Sequence, residues 1–382
     1  MAFSCCRVGH RPIHLELSLI PDLPSFQCRA IDVNDYFWNV ANRVRVGHLK
    51  LKILLSQLSQ LMESPGSTLY DLEQLDIFII IQANTEVSAM PQFISRACSV
   101  TLYDLNLLEK EYFPLVQTLA LQWAQLTCLH VIHADITFSQ CMALLHQTPL
   151  LEECHLSLNF VDVEEEERLT LPLIRTFMLD FGDEEEFIDP VIRRFEFPNL
   201  SRLRLDAWDW PTESYEVIKR YYNLCRIQDL QLFPHAINPF TIANSTILKD
   251  APLLQNLDVS TVAAIDEEAL DGISSGELGH FLKILTISCP ESEMEAALDM
   301  VEARQKAVAQ KIEHGYSWRE VELTGLKEVR IRVLQNSRST RRRNAIENYR
   351  QRYKERLGEL ERLGVRVGIR PWSEWESVGL DM

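Results

Sequence analysis

An α/β solenoid is expected from three observations. An apolar phrase of the form leucine-x-x-leucine-x-leucine returns about every 25 residues, each phrase alternates apolar and polar positions as a strand does, and helix-like stretches lie between phrases. The phrase reads Leu72–Leu75–Ile77, Ala97–Val100–Leu102, Leu126–Leu129–Val131, Leu151–Cys154–Leu156 and Ile174–Phe177–Leu179. It continues as Leu200–Leu203–Leu205, Ile227–Leu230–Leu232, Leu254–Leu257–Val259, Leu282–Leu285–Ile287 and Leu326–Val329–Ile331. The starts are separated by 25, 29, 25, 23, 26, 27, 27, 28 and 44 residues. A repeat of that length is the signature of a leucine-rich-repeat solenoid, in which each repeat buries its apolar side against its neighbours. The expected architecture is a horseshoe with a parallel β-sheet on the concave face, irregular helices on the convex face and a C-terminal helix-strand cap. Repeats are assigned to residues 1–333 and the cap to 334–382.

Taken from the N-terminus, Pro12-Ile-His-Leu-Glu-Leu17 reads as an edge strand, and Val46–Leu49–Leu51 starts a phrase 26 residues before Leu72. Phe37 and Trp38, between them, are expected to cover the first turn. Pro149, Pro172, Pro198 and Pro252 each stand two places ahead of a phrase, which suggests that proline opens those strands, since it lacks an N–H for a central ladder. Helices are expected over Glu213–Leu224, where Val217, Tyr221 and Leu224 share a face, and over Met294–Ile312, which fills the 44-residue spacing after Leu282. Near the C-terminus, Ile346, Tyr349, Tyr353, Leu357, Leu360 and Leu363 recur at steps of three and four with arginines between them. Gly364-Val-Arg-Val-Gly-Ile369 supplies a last strand. A terminal repeat must present a polar outer side, and this segment is placed to do so.

Composition narrows the function classes. The hydrophobic fraction of 46% is that of a folded chain, and the longest aliphatic-aromatic run, Ile77 to Ile81, is far short of a membrane span. The first ten residues lack the apolar core of a secretory signal, and the nine cysteines include no C-x-x-C pair, so an intracellular protein (cytoplasmic or nuclear) with reduced thiols is expected. The formal charge of −17 opposes duplex nucleic acid as a partner. It is unevenly spread: Glu152 to Asp189 holds 13 acids against two arginines, and Arg338 to Arg370 holds 11 basic residues against four acids. Both blocks read as solvated surface; the cluster Arg338, Arg341, Arg342 and Arg343 also admits an import signal or an anionic contact.

No dinucleotide, phosphate-loop, nucleophile-elbow or zincin motif occurs, so no enzyme, no catalytic residue and no cofactor are expected. His130-x-x-His133 is the nearest approach to a metal pair. Residues three apart on a strand face opposite sides, so no metal site is expected there. The acidic runs Glu164–Glu167 and Asp183–Glu186 lack the spaced oxygens and glycine of a calcium loop.

The early Pro-Ile-His-Leu-Glu-Leu strand, the Val46–Leu51 strand and the degenerate proline-x-leucine-x-x-leucine-x-leucine repeats that follow resemble the leucine-rich-repeat region of F-box proteins of basidiomycete fungi. The likeness covers roughly Pro12 to Ile331. It implies a substrate-receptor role in a cullin-type ubiquitin ligase, with the repeats holding the protein to be ubiquitylated. No F-box start of the leucine-proline-x-glutamate type precedes Pro12, so no direct adaptor binding is expected. Regular repeats of this kind also carry an asparagine three residues after the last strand leucine. Only Asn159 holds that place, against Ala134, Gly182, Trp208, His235 and Val262.

Function is therefore expected on the strand positions that alternate with the core leucines, and the expected partner is a protein; the alternatives are a repeat-only scaffold with no ligase link and, last, an enzyme with an unrecognised loop site. The candidate partner-binding residues are His130, His155, Met178, Arg202, Arg204, Asp206, Asp229, Gln231, Phe233, Asp258 and Arg330. A mosaic of charge with a few aromatic and arginine anchors suits protein recognition.

Overall fold

The computed structural model describes residues 2–5, 13–18, 45–54, 72–80, 99–104, 123–160, 168–181, 188–207, 214–234, 242–259, 265–313, 323–334, 349 and 351–371. Phe37, Trp38, Glu164–Glu167, Asp183–Glu186, Arg338 and Arg341–Arg343 lie outside them, as does the side chain of His133. The fold is α/β, and the chain divides into two compact units, Met1–Ile174 and Arg175–Met382. Among the described residues no helix is long and apolar enough to cross a membrane.

Unit 1 contains strands β1 (Ala2–Cys5), β2 (Ile13–Ser18), β3 (Val46–Leu54), β4 (Gln74–Ile80), β5 (Ser99–Asp104) and β6 (Cys128–Thr137). Helix α1 (Phe138–His146), strand β7 (Glu153–Phe160) and a two-residue strand β8 (Leu169–Thr170) follow. Strands β1 to β7 pair in chain order; β1 runs antiparallel to β2 and every later pair is parallel. The register puts phrase on phrase: Leu49 lies beside Leu75, Leu75 beside Val100, and Leu129 beside Cys154. Leu15, Leu17, Leu49, Leu51, Leu75, Ile77, Leu129, Val131, Cys154 and Leu156 are fully buried. Strand β6 passes straight into α1 through a reciprocal cap. The Thr137 hydroxyl accepts the Gln140 N–H at 3.2 Å, and the Gln140 side-chain Oε1 accepts the Thr137 N–H at 3.0 Å.

Unit 2 contains β9 (Thr176–Asp180), α2 (Ile188–Ile192), β10 (Phe195–Glu196), β11 (Arg202–Ala207), α3 (Ser214–Tyr221), β12 (Asp229–Pro234) and α4 (Asn244–Asp250). It continues with β13 (Asn256–Asp258), α5 (Glu267–Ser275), β14 (Ile284–Pro290), α6 (Met294–Glu313), β15 (Glu328–Leu334), α7 (Lys354–Arg362) and β16 (Arg366–Pro371). Here β9, β11, β12, β13, β14, β15 and β16 pair in that order, all parallel. Phe177, Leu203, Leu230, Leu257, Leu285, Val329 and Val367 form one continuous register row. The last expected strand pairs with β15, and Tyr353 and Leu360 of the expected cap stripe are buried.

The prolines do not open strands, as their spacing suggested. The N–H of the first residue of a phrase bonds the carbonyl three places back in seven phrases: Leu126 to Trp123, Leu151 to Thr148, Ile174 to Leu171, Leu200 to Phe197, Ile227 to Leu224, Leu254 to Ala251 and Leu282 to Gly279. Each of these seven phrases is thus fed by a four-residue turn. Pro149, Pro172, Pro198 and Pro252 occupy its second position, where a fixed φ near −65° is what the turn requires. The strand itself begins later, at Glu153, Thr176, Arg202 and Asn256. A second recurring device follows the turn. One carbonyl in the preceding repeat accepts two consecutive N–H groups: Arg175 from Ser201 and Arg202, Ser201 from Gln228 and Asp229, Gln228 from Gln255 and Asn256, Gln255 from Lys283 and Ile284, and Lys283 from Lys327 and Glu328. These bonds satisfy the backbone where each strand starts, independently of any asparagine.

The insertion before β15 is built differently. Helix α6 buries Met294, Ala297, Leu298 and Val301, and with them Arg304, which is wholly shielded from solvent. The Arg304 guanidinium donates to four backbone carbonyls: Nε to Thr324 at 3.1 Å, Nη1 to Ile273 at 3.4 Å, and Nη2 to Gly279 at 2.7 Å and His280 at 3.0 Å. Burial pulls its pKa down to about 10. Gly276 makes room for it. That residue ends α5 at φ 84°, and a Cβ there would lie 2.6 Å from Leu323 and 3.1 Å from Arg304. Beside it, Gln305 donates to the carbonyls of Leu326 at 3.1 Å and Leu363 at 3.2 Å, and accepts the Leu326 N–H at 2.9 Å. On the outer side of α6, Arg356 of α7 pairs with Glu295 and Asp299, and Tyr349 donates to Glu291 at 2.7 Å. Part of the basic C-terminal block therefore answers acids on this helix.

Candidate functional site

In unit 2, parallel pairing brings the alternating positions of adjacent strands side by side. Met178, Arg204 and Gln231 form one such row, with Asp258 and Thr286 continuing it. Arg202 stands beside Asp229, and Asp206 beside Phe233. The side chains form a bonded lattice along and across strands. Arg204 donates to Asp206 at 3.2 Å and lies over the Phe233 ring, 5.0 Å from its centre. Asp229 accepts from Gln231 and from Asn256, each at 3.0 Å. Arg332 approaches Asp258 at 3.7 Å, and Arg330 donates to Glu328 at 2.8 Å.

The alternation does not expose every position on this side. Arg202 and Arg330 are exposed, and Met178, Arg204, Asp229 and Gln231 are half-buried. Thr176, Asp206, Phe233 and Asp258 are buried. Strands about 4.8 Å apart leave little room between same-side neighbours, so a long side chain covers a shorter one, as Arg204 covers Phe233. Asp206 accepts from Arg204 and Asp258 pairs loosely with Arg332, and among the candidate residues on this side Arg202 and Arg330 are the exposed ones, with Arg204 and Gln231 partly exposed.

The two remaining candidates, His130 and His155, lie in unit 1. They are register partners on β6 and β7, and their rings meet edge to face with centres 5.8 Å apart. His130 is also the centre of a cluster. Its Nε2 is 3.6 Å from the Cys128 sulfur and 3.1 Å from a Glu153 carboxylate oxygen. The three donor atoms lie within 4.8 Å of one another. Two rules of β geometry produce this. Cys128 and His130 are two apart on one strand and share its side, and Glu153 is the register partner of Cys128 on the next strand. Burial would lower the imidazole pKa, but the hydrogen bonds to Cys128 and Glu153 outweigh it and raise the pKa to about 9. The neighbouring thiols Cys141 and Cys154 are buried, and burial pushes both well up.

Sequence reasoning did not assemble this trio, because it looked for a second ligand along a single strand. The legible signal was Cys-x-His with a glutamate one repeat later, aligned by the phrases. A further feature was also missed. Leu150, Leu173, Leu253 and Phe281 are exposed large apolar side chains, and each holds the third position of the turn that feeds a phrase.

No protein-family model matches the chain, and no curated protein matches it. Among solved structures, the crystal structure of a protein from Bacteroides fragilis aligns at 12% identity over 87% of this chain and 76% of that chain, with a TM-score of 0.36. A likeness of that size carries no argument.

Proposed function

We propose that the chain is a protein-interaction module of the leucine-rich-repeat horseshoe kind, with its strands on the concave face, related to the substrate-recognition repeats of F-box ubiquitin-ligase receptors. The observation that carries this reading is the bonded lattice of Arg204, Asp206, Asp229, Gln231, Phe233 and Asn256 in unit 2. Side chains already fixed by neighbours lose little conformational freedom on binding, and arginine and aromatic anchors dominate affinity in protein interfaces. The partner is a protein that presents acidic groups to Arg202 and Arg204 and donors to Gln231. In the ligase setting it is the protein to be ubiquitylated.

The test is quantitative affinity purification with the wild-type chain and with Arg202→Glu/Arg204→Glu, both shown by circular dichroism to be folded. A partner enriched by the wild type and lost, by about 100-fold or more, with the double variant supports the reading; that loss corresponds to hot-spot behaviour. Equal recovery by the two proteins moves binding off this side of the sheet.

A further inference from the structure

We propose that Cys128, His130 and Glu153 of unit 1 form a binding site for a borderline divalent transition-metal ion, Zn2+ foremost, with a fourth position open to water or to a side chain from outside. The site is separate from the residues proposed for partner binding in unit 2 and stands whether or not those residues take a protein.

Geometry is the first support. Around a tetrahedral Zn2+ with bonds of about 2.3 Å to sulfur and about 2.0 Å to nitrogen and oxygen, the donors are roughly 3.5 Å apart for S···N and roughly 3.3 Å for N···O. The observed separations are 3.6 Å for the Cys128 sulfur and His130 Nε2, and 3.1 Å for His130 Nε2 and the Glu153 oxygen. Two edges of the tetrahedral face are therefore already set. The third, sulfur to oxygen, lies within 4.8 Å, so that it needs to close by at most about 1.3 Å to reach the roughly 3.5 Å of such an ion. Glu153 can supply that movement, because its side chain is 41% exposed while that of His130 is 17% exposed.

Chemistry is the second support. A thiolate, an imidazole nitrogen and a carboxylate oxygen are a mixed soft and hard set, which suits Zn2+ and disfavours Mg2+ or Ca2+, both of which require oxygen alone. Placement is the third support. The donors are on adjacent strands in fixed register, each strand paired on both the Cys128 and the His130 row, so the backbone is organised before any ion arrives. An ion held here joins β6 to β7 and leaves one coordination position on the exposed side of Glu153.

The test uses the untagged, metal-stripped chain titrated with Co2+, a spectroscopic stand-in for Zn2+. The expected result is a thiolate-to-cobalt charge-transfer band that saturates at one equivalent and is removed by Zn2+. Cys128→Ser should abolish the band. Cys225→Ser, which removes an exposed thiol elsewhere, should leave it intact. Glu153→Gln should retain the band and weaken Co2+ binding by at least about 10-fold, the lower end of what losing even an outer partner of a ligand costs. The proposal falls if the wild type shows no band, or if Cys128→Ser shows the same band at the same affinity. If Cys128→Ser does not fold by circular dichroism, Glu153→Gln decides: an unchanged affinity in that variant overturns the site.

Discussion

Within unit 2, the stretch from Thr176 to Ile287 and the insertion from Met294 to Glu328 are held by opposite chemistry. In the first, Phe177, Leu203, Leu230, Leu257 and Leu285 pack in one register row, and each incoming strand finds a carbonyl of the previous repeat ready to take two N–H groups. The support is repeated, so no single side chain carries it alone. In the second, the spacing stretches to 44 residues, and the segments around α6 are tied by side chains as well as by backbone bonds such as Thr324 N–H to the His280 carbonyl. Arg304 and Gln305 supply the side-chain ties, through seven hydrogen bonds to Ile273, Gly279, His280, Thr324, Leu326 and Leu363. A regular period lets apolar side chains and backbone satisfy one another. Where the period breaks, two adjacent buried polar side chains, Arg304 and Gln305, carry much of the joining.

That difference is broken most directly at Arg304. Arg304→Met keeps the volume of the stem and removes every donor; the carbonyls of Gly279 and His280 keep the N–H groups of Leu282 and Thr324, while those of Ile273 and Thr324 lose the guanidinium. Hydrogen bonds to a charged group contribute about 1.5 to 3 kcal/mol each, offset in part by no longer burying a charge, so a net loss of about 4 kcal/mol is expected in urea unfolding. A loss below about 1 kcal/mol would show that the apolar side of α6, with Met294, Leu298 and Val301, holds the insertion without the arginine.

The regular stretch is probed by Leu230→Ala. Leu230 is fully buried between its register partners Leu203 and Leu257. Deleting its side chain should cost about 3 kcal/mol, the transfer term plus the cavity left behind. The expected order, Arg304→Met above Leu230→Ala, is what the comparison requires. If Leu230→Ala proves the more damaging, the row of leucines is less redundant than its repetition suggests.

How much of this was legible in the sequence follows from how local each signal is. The strand rows were readable because apolar alternation over five residues is a local signal, and their spacing alone aligns Leu203 with Leu230 and Leu257. The prolines read as strand openers, although they stand four residues ahead of the strands, because the turn that uses them, closed by bonds such as Leu200 N–H to Phe197, has no apolar pattern of its own. Arg304 was invisible, since an arginine in a helix reads as part of a solvated side. Its burial depends on carbonyls 20 to 31 residues away in the chain. The Cys128, His130 and Glu153 trio lay between these extremes. Its members are named by the alternation rule, but their convergence appears only when two strands are laid in register. Reading along one strand pairs His130 with His133 and misses it.

The smallest expected effect tests whether the regular stretch is also insensitive to acid. Asp266 caps α5: one carboxylate oxygen accepts the Ala269 N–H at 3.0 Å, and the other accepts the Ser245 N–H at the start of α4, also at 3.0 Å. Partial burial would raise its pKa, but these backbone donors hold it below the ordinary 3.8. A carboxylate whose folded pKa is depressed contributes stability that is present above the unfolded value, about 3.9, and is lost as pH falls through the lower folded one. Asp266→Ala should therefore cost about 1 kcal/mol near pH 7, as the loss of a helix cap does. The gap between wild type and variant should narrow as unfolding is measured from about pH 5 downward, closing once the native carboxylate is protonated. Asp266→Asn keeps an oxygen acceptor for the cap and removes the charge, so it should lose less at pH 7 and flatten the acid limb. A gap between wild type and Asp266→Ala that stays constant across that range would mean the cap works as a neutral acceptor. The acid sensitivity of this region would then have to come from another carboxylate, with Glu268, held low by Lys249, the first to replace.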